Sequence, residues 1–238
     1  MVSKRFGPIK IVKTKISAQR LAKTLPVGTI IAVGGDGTFL KAFKKSAQTG
    51  KPVLCIRAHG SKGVLAEGNI SEIRQMEKKL KKQDFPIIKY PMLEGGTENK
   101  KLNGFNEIGF FRTSEEALRF DLFINGVLFY KNVVADGGIV STPAGSTAYN
   151  VSAGGPVLDL MSKSLVFTPL NPHGLNKPVV FEGSAKIVFH RHSAHAFADG
   201  KRFSKIKKYL EITKSAKHAK IISLKIPFHT RWQRIVGT

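Results

Sequence analysis

Acidic side chains are scarce in this chain: 16 Asp and Glu stand against 39 Lys and Arg, leaving a formal net charge of +23. Cysteine is nearly absent. Cys55 stands alone in the apolar run ProValLeuCysIle, so no internal disulfide can form, and it reads as a buried small hydrophobe in a reducing compartment. No apolar stretch reaches the roughly 18 residues of a membrane span. The opening MVSKRFGPIK also lacks the apolar core of a secretory signal, so a cytoplasmic protein with no membrane association is expected. Aromatic residues do not interleave with the basic runs at Lys78, Lys79, Lys81 and Lys82 or at Lys205, Lys207 and Lys208. Those runs read as solvated helical or terminal faces, and without a stacking platform specific nucleic-acid binding is not expected. The positive field would still draw polyanionic substrates such as ATP.

What is present suits a folded protein. Hydrophobic residues at 42% and charged residues at 23% are near globular averages, and 238 residues suffice for two small domains. The first third alternates strand and helix signals: a strand over 8–12, an amphipathic stretch over 17–25, a strand over 28–33, a helix from Thr38 to Gln48, a strand over 52–56 and a polar helix over 71–83. That alternation predicts an α/β domain with a parallel sheet covered by helices. Beyond Phe85 the texture turns to short β-rich runs at 120–124, 127–130 and 186–190, and AsnGly at 125–126 is a hairpin signal. Helical periodicity is scarce there apart from a short stretch after Gly145, so this half reads as all-β.

The sharpest local feature is GlyGlyAspGlyThr at 34–38, between an apolar strand and a helix. Glycines let the backbone turn tightly and approach a ligand, and a helix start offers free N–H groups to an anion. It is not a Walker A loop, because no GlyLysSer or GlyLysThr follows. Nor is it a GxGxxG fingerprint, because Leu40 stands where the last glycine belongs. A carboxylate between glycines suits acceptance of a hydroxyl proton or contact with magnesium better than it suits holding phosphate. The plainer reading is that Asp36 caps a helix beginning near Thr38.

At 136–149 the chain reads AspGlyGlyIleValSerThrProAlaGlySerThrAlaTyr, followed by SerAlaGlyGlyPro at 152–156. With GGDGT, this resembles the NAD kinase family, whose second signature is close to DGxxxxTPTGSTAYxxSAGGP. AsnGlu at 106–107 and the segment 167–180, with its ProHis at 172–173, resemble two further family motifs. The resemblance spans about residues 30 to 200. GGDGT by itself is shared with diacylglycerol, sphingosine and 6-phosphofructo kinases, whereas the TPxGSTAY block is specific.

The resemblance implies an α/β domain (1–88, joined by a returning segment 224–238), a β-sandwich (89–223), and NAD bound between them. It implies transfer of a phosphoryl group from ATP or polyphosphate, with Mg²⁺ or another divalent cation, to the 2′-hydroxyl of the adenosine ribose of NAD. Asp36 would be the catalytic base, with Gly34, Gly35, Gly37 and Thr38 near the donor phosphates. Asn106 and Glu107 would hold NAD through its adenosine ribose, Asp136 would contact the nicotinamide end, and Thr147, Ala148 and Tyr149 would line the adenine and ribose site. His173 is a further candidate for the same cleft. No protein-caged metal is implied. A homodimer or homotetramer in which a neighbour completes the pocket is.

Each assignment has a plain structural counterpart: Tyr149 as core, Asn106 as a turn former, His173 as a structural histidine, Asp136 as the shaper of a β-turn. The chain also departs from the family. At 55–65, where members read close to GINxGxxGFL, Cys55 replaces a glycine, Arg57 an asparagine, and Val64 a phenylalanine that typically touches the nucleotide. Ala144 stands for a threonine, and AspGly at 199–200 resembles a late family element. A lipid kinase of the diacylglycerol type would share GGDGT and a sandwich, but the 136–156 block opposes it. A non-catalytic NADP(H)- or nucleic-acid-binding relative is opposed by the intact Asp36 and favoured by the altered 55–65 wall.

Overall fold

The computed structural model describes residues 21, 23–60, 63–82, 85–97 and 100–236. The chain divides into two compact units, Met1–Tyr90 with Lys217–Thr238, and Pro91–Ala216. The strand expected at 8–12 and most of the helix expected at 17–25 lie outside the described residues.

In the first unit, β1 (Ile30–Gly34) and β2 (Val53–Arg57) are parallel and in register from Ile30 opposite Val53 to Gly34 opposite Arg57. Helix α1 (Asp36–Thr49) links them, burying Phe39, Ala42, Phe43 and Ser46 at helical spacing. It ends where Gly50, at φ 70°, lends its N–H to the Ser46 carbonyl, a left-handed stop that glycine adopts without strain. After β2, Asn69 caps a 3₁₀ turn (Ile70–Glu72), and the Glu72 carboxylate returns to the Asn69 N–H. Helix α2 (Ile73–Lys81) follows. Its Ile73, Met76 and Leu80 form one stripe, which joins Ile31, Val33, Leu54 and Ile56 in a core while Arg74, Lys78, Lys79 and Lys81 stay in water.

The second unit is a β-sandwich. One sheet carries β6 (Leu118–Ile124) and β7 (Val127–Ala135), with β11 (Ala185–Arg191) between β6 and the first half of β14 (Tyr209–Ile222). The other is antiparallel throughout, in the order β10 (Val179–Phe181), β9 (Leu165–Leu170), β8 (Gly137–Ser141), β5 (Glu107–Arg112), β12 (Ala194–Ala198), β13 (Lys201–Ile206). Strand β3 (Ile87–Gly96) enters the unit and pairs with β4 (Lys101–Gly104). Their inward faces meet around four phenylalanines. Phe110 stands edge-on to Phe120 and to Phe189 at ring separations of 5.1 and 5.2 Å, and Phe167 also packs against Phe120. The architecture is therefore an α/β unit and an all-β sandwich, as the alternation of patterns predicted.

The β6–β7 turn is the AsnGly hairpin read from the sequence: Asn125 and Gly126 have φ of 52° and 81°, as a type I′ turn demands. The only described helical turns between β8 and β9 are the short ones at Gly145–Thr147 and α3 (Tyr149–Ser152). Two expectations need correction. Lys205, Lys207 and Lys208 belong to β13 and the turn into β14 and are not helical, because β13 pairs along its length with β12. Helix α1 begins at Asp36 rather than near Thr38, and its N-cap is Gly35, with no side-chain cap bond. The capping reading of Asp36 is thereby excluded. Among the described residues no helix is long and apolar enough to cross a membrane. Helix α4 (Phe228–Val236) ends the described chain.

Candidate active site

The glycine turn sits at the carboxyl end of β1, where ligands of open α/β sheets gather. A Cβ added to Gly34 would lie 2.5 Å from the Thr38 hydroxyl, so only glycine allows the helix to start this close to the strand. The carbonyl of Gly35 accepts the N–H groups of Thr38 and Phe39, leaving the earlier amides of α1 as the free end of the helix dipole. Gly37 has open space on its Cβ side, so a ligand can approach the backbone there. Asp36, at the first helical position, is accessible to solvent. The surrounding protein nonetheless removes enough water to push its carboxyl above the ordinary carboxylate range. Such a group is a stronger proton acceptor than a free aspartate. Arg57, across the strand pair from Gly34, has its Nε buried and without a hydrogen-bond partner. Among the described residues no group of three His, Cys, Asp or Glu gathers as a metal cage.

The second unit brings together Asn106, Glu107, Thr147, Ala148 and Tyr149. The agent is Asp199. At the β12–β13 turn its carboxylate accepts the N–H of Phe105 at 2.9 and 3.0 Å, of Asn106 at 2.7 Å and of Glu107 at 3.3 Å. Its own N–H donates to the Glu107 carbonyl. The 105–107 loop is then buttoned to the TPxGSTAY segment: Thr142 donates its N–H to Asn106 and its hydroxyl to the Phe105 carbonyl, and accepts the Gly145 N–H. Gly145 lies so close that a Cβ there would stand 1.9 Å from the Asn106 carbonyl oxygen. Buried Asn150 closes the motif by donating to the Ser146 and Pro156 carbonyls and accepting the Thr168 hydroxyl. Gly155 is required because a Cβ would meet that Asn150 amide at 2.1 Å.

Tyr149 is 42% exposed, so it is not a core residue. Its ring lies 6.2 Å from that of Phe197, which stands opposite Arg202 in the β12–β13 pairing. Two residues back along the strand, His195 stands opposite Lys205. Loss of water, with Arg202 and then Lys205, holds its imidazole below the ordinary value.

Asp136 and His173 are not in this group. Glu107 pairs with Ser141 at one end of β5 and Phe111 with Gly137 at the other, so Asp136 lies five strand residues away, about 17 Å at the usual rise. There its Oδ1 is 2.9 Å from the Arg112 guanidinium and its Oδ2 accepts the Asn171 amide at 2.9 Å. Exposed His173 joins the same end through its N–H to Val134. Asp136 thus does more than shape a turn: it anchors a charged cluster.

The residues that tie the 105–107 loop to the TPxGSTAY segment without being read as site residues are Asp199, Thr142 and Asn150. AspGly at 199–200 carried a faint signal, and Thr142 and Asn150 lie within the TPxGSTAY block or just after it. What the sequence does not show is their grip on remote partners, Phe105 and Asn106 for Thr142 and Thr168 for Asn150.

Comparison with known proteins agrees across most of the chain. Residues 10–85 match a family described as the ATP-NAD kinase N-terminal domain, and residues 110–224 its C-terminal domain. The chain is 32% identical over 207 residues to the NAD kinase of Caldicellulosiruptor saccharolyticus, covering 85% of this chain and 79% of that protein. It is 35% identical over 164 residues to the NAD kinase of Sulfurimonas denitrificans, covering 66% of this chain and 57% of that one. Among solved structures, an Archaeoglobus fulgidus NAD kinase in complex with ATP superposes with a TM-score of 0.78 at 23% identity, over 95% of this chain and 97% of that chain. Yeast NADH kinase complexed with NADH gives 0.76 at 20% identity, over 92% and 68%. At such identities the two structures speak for the fold.

Proposed function

The chain belongs to the ATP-NAD kinase family, and on that footing we propose that it phosphorylates NAD at the 2′-hydroxyl of the adenosine ribose, with Asp36 as the general base. The observation that carries the base assignment is the accessible, desolvated Asp36 carboxylate at the free amino end of α1. Phosphoryl transfer asks the protein mainly to align a hydroxyl with the donor phosphorus and to neutralise oxygen charge. Asp36 accepts the hydroxyl proton as the bond to phosphorus forms. The first amides of α1, open at Gly37, receive phosphate oxygens.

ATP is the donor, in keeping with the family; nothing favours polyphosphate. Mg²⁺ keeps most of its waters and is carried on a triphosphate, so it needs no dedicated protein cage. When bound there, the ion offsets phosphate charge. Arg57 is the cation we assign to the donor phosphates, because it sits beside Gly34 across the strand pair and its buried Nε lacks a partner. Asn106 and Glu107 hold the ribose, and Thr147, Ala148 and Tyr149 line the adenine. Their support is the hydrogen-bonded knot around Asp199 and Thr142.

Asp136 lies about 17 Å from that knot within one subunit, counting strand rise. We therefore assign it to the nicotinamide end of a neighbouring copy's dinucleotide, which makes a homo-oligomer the working form. A cytoplasmic location accords with the single free Cys55. The test is direct: incubate the purified protein with NAD, ATP and Mg²⁺ and assay NADP with an NADP-specific dehydrogenase. No NADP, with NAD and ATP both failing to raise Tm, defeats the reading.

A further inference from the structure

Between β2 and the Asn69 cap runs a buried segment, Gly63 to Gly68. Besides the burial of Val64, Leu65 and Ala66 and two backbone bonds to β2, it is tied down at several points by one remote residue. Arg231, on α4, has a side chain only 4% exposed, and its Nη2 lies 2.6 Å from Glu67 Oε1, with Glu67 only 1% exposed. Its Nη1 donates to the Ala66 carbonyl at 3.1 Å and reaches that of Val64 at 3.5 Å, while its Nε donates to Ile226 at 3.1 Å. The other Glu67 oxygen accepts the Leu224 N–H at 2.6 Å, and the Glu67 N–H donates to the Cys55 carbonyl.

The first residue of the clamped segment touches the turn that carries Asp36. A Cβ at Gly63 would stand 2.6 Å from the Phe39 ring and 3.3 Å from Asp36 Oδ1. Phe39 is buried in α1, three residues after Asp36. A continuous run of contacts thus leads from Arg231 through Glu67 and Ala66 to Gly63, and from there to the Asp36 carboxylate.

Resting on the NAD kinase reading, we infer that Arg231 is a positioning residue: paired with Glu67, it holds the 63–67 backbone as the backing against which Asp36 is aimed. Physical chemistry favours a geometric role over a stabilising one. A buried ion pair adds little net stability compared with apolar residues of the same volume, because both charges lose their hydration. A planar guanidinium, however, directs its N–H groups in fixed directions, so it can hold three carbonyls and a carboxylate in one arrangement that no apolar side chain could impose.

The experiment compares the wild type with Arg231→Met, Arg231→Lys and the double variant Glu67→Gln with Arg231→Met. The double variant removes the uncompensated buried carboxylate that Arg231→Met leaves behind, while keeping an acceptor for Leu224. Measured are Tm, kcat and KM for NAD and ATP well below the lowest Tm, and hydrogen exchange of peptides covering 63–67. Arg231→Met should lower both Tm and kcat. The double variant should regain most of the lost Tm, yet its kcat should stay roughly tenfold or more below wild type, as expected for a small misplacement of a catalytic group. Its KM for NAD should stay within about threefold, and exchange at 63–67 should remain faster. Arg231→Lys should fall between, since an ammonium lacks the fork. The inference is overturned if kcat returns together with Tm in the double variant, or if exchange at 63–67 is unchanged in every variant. Should the wild type itself make no NADP, the catalytic reading fails separately, and the exchange arm still decides the clamp.

Discussion

Replacing Asp199 by alanine should loosen the hydrogen-bonded knot proposed to hold NAD, from a position that is not itself assigned to the substrate. The carboxylate accepts three successive backbone N–H groups, two of them at 2.9 Å or less, and the residue occupies a φ of 50°. A hydrogen bond to a charged group contributes about 1.5–3 kcal/mol net. Here the bonds share one carboxylate and water can reach the half-exposed turn, so about 2–4 kcal/mol is the sensible sum. Alanine at a left-handed position adds about 1 kcal/mol of strain. The total, roughly 3–5 kcal/mol, corresponds to a fall in Tm of roughly 6–20 °C for a chain of this size. Asp199→Asn keeps an acceptor oxygen and tolerates the backbone angle, so it should lose only about 1 kcal/mol. Calorimetry supplies the stabilities and initial rates at varied NAD supply KM, which should rise about tenfold for alanine as Asn106 and Glu107 lose their register. If Asp199→Ala lowers Tm by less than about 2 °C and leaves KM for NAD unchanged, the carboxylate is not what organises the 105–107 loop.

Four further outcomes follow from the geometry. Asp36→Asn conserves size and removes the proton acceptor, so turnover should fall about 10²–10⁴-fold with KM for NAD within a few-fold. Because burial raises the Asp36 pKa, the active carboxylate is lost as pH falls through a value above the usual aspartate figure of about 3.9. The acid limb of kcat/KM should therefore lie above that value and vanish from the residual rate of Asp36→Asn; a limb that survives in the variant rules out Asp36 as its source. Arg57→Met should raise KM for ATP about tenfold, the loss of one charge-assisted contact, while KM for NAD is unchanged in the same rate series. Gly145→Ala forces a Cβ to 1.9 Å from the Asn106 carbonyl, so it should cost at least the roughly 1–3 kcal/mol of ordinary overpacking, readable as a shift in denaturation midpoint at constant m.

Much of this was legible in the chain because its causes are local. The αL turn at AsnGly125–126 follows from two residues that accept positive φ, and α1 from apolar positions at 39, 42 and 43 on one face. The α/β and all-β halves follow from a change of period near residue 85. The glycine turn at 34–38 was visible for the same reason, although the sequence left open whether Asp36 capped the helix. The start of α1 at Asp36 decided that, because a residue inside the first turn cannot be its own cap. Tertiary structure alone decided the rest. Asp199 grips Phe105 from 94 positions away and Arg231 meets Glu67 across 164, pairings that leave no periodic trace. Asp136 reads in sequence as one motif with Thr147–Tyr149, but an antiparallel strand carries the chain away from its starting point, so the two ends of that motif lie at opposite ends of a sheet. Local residue types determined which chemistry the chain can perform; the strand register and the buried polar clamps determined where each group is held.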